Sequence, residues 1–204
     1  LTKLMTKIGR VQLLILLLIL SGFGLFGKTF VLLWAGKGYE DAFWVAFLIM
    51  FMGTIPLIQN IGIEIQIAKN MHKMRSVIYS LVAVGNVLIS IPLILKYGPL
   101  GAAIGTAIAL FAGNIIFMNI YYHKSVGLDM KFYWGEVIKI LPGLIPSIIV
   151  GFLTTYWFEI NTWPTIVASI IVYTSVYAIS MWKISMNKFE KNLLLSPLRR
   201  KFNV

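Results

Sequence analysis

Two ionisable residues, Lys28 and Glu64, stand inside long apolar stretches of this 204-residue chain. A charge near the centre of a bilayer costs roughly 2.5 to 3.5 kcal/mol on insertion scales, so it is retained for a partner or lies close enough to the surface to reach water. Lys28 admits both readings: it snorkels to the headgroups, or it faces a cavity where its compact charge attracts a phosphate or pyrophosphate. Glu64 has Asn60 one helical turn before it, with Gln59 and Gln66 nearby, so one face of its helix is polar. Such a group can bind sugar hydroxyls, and its carboxylate can carry a coupling proton. The plainer alternative is an ion pair with Lys69 at the surface. Pro56, preceded by Gly53 and Thr54, breaks the same stretch where the polar face begins and is a candidate hinge.

Enzymatic chemistry finds little material. The two histidines, His72 and His123, fall in polar gaps between apolar blocks, and the acidic residues form no cluster. No phosphate-binding glycine loop, no metal-ligand spacing and no nucleophile elbow occurs. Cysteine is absent, which removes disulfides and thiolate metal sites. The expectation is a protein that is not an enzyme and that carries no cofactor and no metal.

The elements that must position Lys28 and Glu64 follow from the apolar pattern. With 59% hydrophobic and 12% charged residues and a mean hydropathy of +0.86, the chain cannot cover itself with a polar surface. Six blocks, 11–34, 42–68, 77–95, 101–122, 141–158 and 163–182, each approach or exceed the roughly 20 helical residues needed to cross about 30 Å of hydrocarbon. They lack the two-residue alternation of barrel strands. The expected fold class is therefore an all-α integral membrane protein with six transmembrane helices.

Basic residues fall in every second gap. Four regions (3–10, 69–75, 124–139 and 183–201) hold 15 of the 18 lysines and arginines, which places them and both termini on the cytoplasmic side. This distribution accounts for the net charge of +11 without a nucleic-acid partner. All six tryptophans lie at block edges, as indole rings at headgroup level should. The linker 125–139 reads as an amphipathic helix lying in the interface, and the tail 183–201 as an anchor on anionic lipid. The chain begins at Leu1 rather than methionine, with a basic stretch immediately following. It is expected to be the C-terminal part of a longer protein.

A further pattern concerns packing. Gly101, Gly105, Ala109 and Gly113 recur every four residues and line one helix face with small side chains, where another backbone can approach closely. Asn86, Asn114 and Asn119 are expected to bond between helices. The run Tyr97-Gly98-Pro99-Leu100-Gly101-Ala102-Ala103-Ile104-Gly105-Thr106-Ala107, with Asn86 upstream, resembles the C-terminal half of bacterial polysaccharide flippases of the O-antigen and capsule type. These belong to the superfamily that includes multidrug exporters and the peptidoglycan lipid flippase. The loop Trp34-Ala35-Gly36-Lys37-Gly38-Tyr39-Glu40-Asp41-Ala42 and the segment His123 to Trp134 are similar to loops of that family.

The resemblance implies a twelve-helix transporter of two six-helix lobes around a central cavity, moving undecaprenyl-linked oligosaccharide from the inner to the outer leaflet of the bacterial plasma membrane. On this resemblance only one lobe would be present here, so the implied partners are the lipid-linked oligosaccharide, membrane lipids, and a missing N-terminal lobe or a second chain. Related lobes rock against one another to give alternating access. Two alternatives stand beside this: a multidrug or small-cation exporter lobe, and a noncatalytic membrane scaffold.

Overall fold

A computed structural model describes residues 1–157 and 160–202, with side chains up to position 196 in the last helix. Among the described residues nine of ten α-helices form six long apolar rods, the tenth follows the last rod, and no strand occurs. The chain is thus an all-α protein whose rods are long and apolar enough to cross a membrane. The helices are α1 (Thr2–Ala35), α2 (Glu40–Ile58), α3 (Asn60–Ala68), α4 (His72–Tyr97), α5 (Pro99–Leu110), α6 (Met118–Tyr121), α7 (Met130–Ile138), α8 (Ile145–Trp157), α9 (Trp163–Ser180) and α10 (Lys188–Phe202). Rods two, four and five are composite: α2 with α3, α5 with α6 through π-helical turns, and α7 with α8 through one 3₁₀ turn.

The rods outrun the apolar blocks. The first begins at Thr2 instead of 11, and the fifth at Met130 instead of 141. The segment expected to lie in the interface is partly α7, which packs against α1 and buries Met130, Tyr133 and Val137. Asp129 starts it by accepting a hydrogen bond from the Phe132 amide at 3.0 Å. The proposed end of the fifth block at Phe158 lies outside the described residues.

α1 is the spine. It touches α2, α3, α7, α8 and α9, while α5 packs on the other side of α2 and α4 packs on α5. The α4–α5 contact uses the expected small-residue face: Gly101, Gly105, Ala109 and Gly113 are all buried. A Cβ at Gly101 would meet the Leu93 and Ile94 backbone, one at Gly105 would meet Ser90, and one at Gly113 would meet Val82. Backbones this close gain dispersion contacts that larger side chains would prevent. The turn before α5 needs Gly98, whose φ is +59°, and Pro99 then opens the helix where its missing N–H costs nothing.

Candidate functional site

Short turns make the rods alternate in direction, so the bundle has one end rich in lysine and arginine, here the basic end, and a far end around residues 35–40, 97–100 and 160–163. Polar side chains gather at the basic end. Pro56 has no N–H to give to the carbonyl one turn before it, which loosens the end of α2; α2 ends at Ile58, the chain turns at Gln59 and resumes as α3. The Gly62 amide bonds to the Gln59 carbonyl, which leaves the Ile58 carbonyl free to accept the Tyr133 hydroxyl at 2.8 Å. Gly9 lets α1 approach this break, since a Cβ there would lie 2.6 Å from the Ile58 oxygen and 2.8 Å from the Tyr133 hydroxyl. Gln59 points inward and donates to Asn119 Oδ1 at 3.1 Å, and the Trp134 indole donates to the same oxygen at 2.8 Å. Asn119 in turn donates to the Asn114 and Ile115 carbonyls, left available by the π-helical turn. The hinge candidate is therefore a braced break.

A second knot lies beside it. Arg10 is only 3% exposed, and its guanidinium holds the Glu190 carboxylate through Nε at 2.6 Å and a terminal nitrogen at 3.2 Å. It also donates to the carbonyls of Glu136 and Ser185. Glu190 accepts two more bonds from Asn187. One planar fork with several donors thus ties α1, α7, the turn after α9, and α10, which is the use to which guanidinium is best suited. Tyr177 donates to the Leu14 carbonyl at 2.6 Å, and Lys69 to that of Val126.

The sequence-derived candidates divide. Gln59 is 2% exposed and committed to Asn119, so it is corrected from substrate-binding candidate to brace. Asn60 and Glu64 share the outward face of α3 with Ile67, and neither makes a side-chain bond among the described residues. The alternative pairing of Glu64 with Lys69 does not form, because Lys69 reaches Val126 instead. Lys28 is exposed and forms no ion pair among the described residues. Lys28 and Glu64 are not neighbours. Gly9 marks the level of Ile58, so Glu64 sits near the basic end while Lys28 stands about nineteen residues further along α1, putting roughly 30 Å or more of bundle height between them at 1.5 Å per residue. Of the asparagines, Asn119 joins separate rods, Asn114 accepts from Tyr79 of α4 at 2.5 Å, and Asn86, among the described residues, bonds Ser90 of its own helix and no other rod.

Fold and polar layout together define a multi-pass helical membrane protein with one knotted end and an interrupted second rod. Comparison of the chain with family models, with curated proteins and with solved structures finds no match.

Proposed function

We propose that this chain is one six-helix lobe of a transporter that moves an anionic lipid-linked oligosaccharide across the bacterial plasma membrane, with the basic end cytoplasmic. The observation that carries this reading is the broken second rod, from which the outward polar pair Asn60 and Glu64 extends toward the basic end. Secondary transporters commonly build their substrate and ion sites on interrupted helices, where freed backbone groups and polar side chains line a cavity closed by the related lobe. The flippase resemblance of the segment around Gly98 to Ala107 points the same way.

Since Lys28 and Glu64 lie at opposite heights, a phosphorylated headgroup would meet them in succession. Asn60 and Glu64 would engage sugar hydroxyls at loading, and Lys28 would attract the phosphate near release. Glu64 is also the candidate for proton coupling. The test is transfer of a fluorescent polyprenyl-diphosphate oligosaccharide between leaflets of proteoliposomes containing the intact native protein. Asn60→Leu and Lys28→Ala should each slow transfer several-fold, and Glu64→Gln should flatten its dependence on external pH. Transfer that survives all three substitutions unchanged would sink the reading and favour a scaffold.

A further inference from the structure

Two grooves run end to end along the seam between α1 and α9, sharing Leu18 and Thr174. The one nearer the basic end encloses about 230 Å³ between Val11 and Ile15 of α1, Ala178 of α9 and Leu194 of α10. The other encloses about 330 Å³ and continues past Gly22 to Phe30. The α1 wall of the groove nearer the basic end runs from Val11 to Leu18, about 10 Å of helix at 1.5 Å per residue, against about 15 Å for half the hydrocarbon thickness. That groove therefore fits within the depth of one leaflet, the depth of a single lipid chain.

Charge marks which leaflet. Lys7 continues the α1 row of Val11 and Ile15 by one turn toward the basic end, and its ammonium stands 4.9 Å from the centre of the Phe189 ring. Lys191, on α10 beside Leu194, stands 5.6 Å from the ring of Trp182. Neither is in an ion pair among the described residues. The one acidic residue in the groove wall, Glu190, has its carboxylate neutralised by Arg10. The mouth thus presents unspent positive charge above an apolar slot, the complement of an amphiphile with an anionic head.

We propose that the groove between α1, α9 and α10 holds one acyl chain of an anionic phospholipid from the leaflet at the basic end, with its headgroup between Lys7 and Lys191. This does not depend on the transport reading. The intact protein would be placed in phosphatidylcholine liposomes doped with phosphatidylglycerol carrying a photoreactive acyl chain, and the labelled peptides mapped by mass spectrometry. Label should concentrate on 11–18 and 174–178. Lys7→Ala and Lys191→Ala should each lower it about fivefold, the effect of removing one surface cation. Lys7→Arg should retain it, and Ala178→Trp, which fills the slot from an exposed position, should remove it. A phosphatidylcholine probe with the same chain should label weakly and ignore the lysine changes. Equal labelling by the two lipids, or label spread as strongly over the exposed Leu81 and Leu88 of α4, would overturn the proposal. So would a cross-linked dimer joined through the groove, which would make a second copy the occupant.

Discussion

At the basic end, rods are joined by Arg10 to Glu190, Gln59 and Trp134 to Asn119, Tyr133 to Ile58, and Lys69 to Val126. In the far half the joints are of another kind. α1 and α2 meet through Phe23 stacked on Phe43 and through Phe47 set against Gly24, Phe30 meets Trp163 edge-on, and α4 rests on the glycines of α5. Past Ser21 and Tyr173 in the middle of the bundle, no side-chain hydrogen bond joins two rods there among the described residues. The physical difference is directionality. A polar bond broken inside hydrocarbon leaves donors and acceptors with no water to turn to, so it fixes the register of the rods it joins. Aromatic and glycine contacts lose less when rods slide by a fraction of an ångström. The basic end is a rigid foot, and the far half is the part able to change its spacing.

The largest break in this contrast should come from Arg10. Arg10→Met strands the Glu190 carboxylate in a site where its side chain is 1% exposed, and losing one member of a buried pair costs about 3 to 5 kcal/mol. Arg10→Met combined with Glu190→Leu should recover most of that loss, since apolar replacement of both partners is near neutral. Unfolding of the purified protein in mixed micelles, followed by circular dichroism, measures both. If the double change is no more stable than the single, the pair is not what ties α10 to α1.

The far half should fail differently. Gly105→Leu drives a side chain into Ser90, whose Cα would lie 2.9 Å from the new Cβ, and should cost about 1 to 3 kcal/mol by overpacking. The damage should be confined to α4, which contacts mainly α5 and buries none of its own residues. Hydrogen exchange should rise across 72–97 while the Arg10 region keeps its protection. Exchange that rises equally at both ends would mean that the two halves are one cooperative unit.

These two regions were unequally legible in sequence. The glycine face of α5 announced itself through a four-residue period that has one physical use, and the structure places that face on α4. The six rods followed from hydropathy, though their ends did not: α7 carries the exposed Lys131 and the half-buried Glu136, is followed by Lys139, and reads as interfacial until Tyr133 and Val137 are seen buried on α1. The polar knot left almost no trace. Arg10 counts as one more loop cation among many, and only two small signs set the pair apart: it is the only arginine before the first apolar block, and Glu190 is the only acid in the tail. Their partnership spans 180 positions, a separation over which local patterns say nothing. Gln59 misleads for a related reason, because a face is defined by helical phase and the chain resets that phase at Gln59 itself, between α2 and α3.

That reset gives the smallest and most discriminating test. Tyr133→Phe removes only the hydroxyl that caps the Ile58 carbonyl and leaves the ring where it packs against Trp134. Hydrogen bonds between rods in membrane proteins average about 0.6 kcal/mol and reach about 1.7, so global stability should fall by no more than that. The local effect should be clearer, with faster exchange at the amides of 59–62, where α3 starts without a side-chain cap. A Tyr173→Phe change, which removes the bond to Ser21 at mid-bundle, should cost a similar amount yet leave those amides untouched. If both substitutions speed exchange at the break equally, the foot is no stiffer than the rest, and the division between a rigid end and a yielding one fails. If only Tyr133→Phe does so, the Tyr133 hydroxyl is a brace specific to the break after Pro56, acting beside the Gln59 and Trp134 bonds to Asn119.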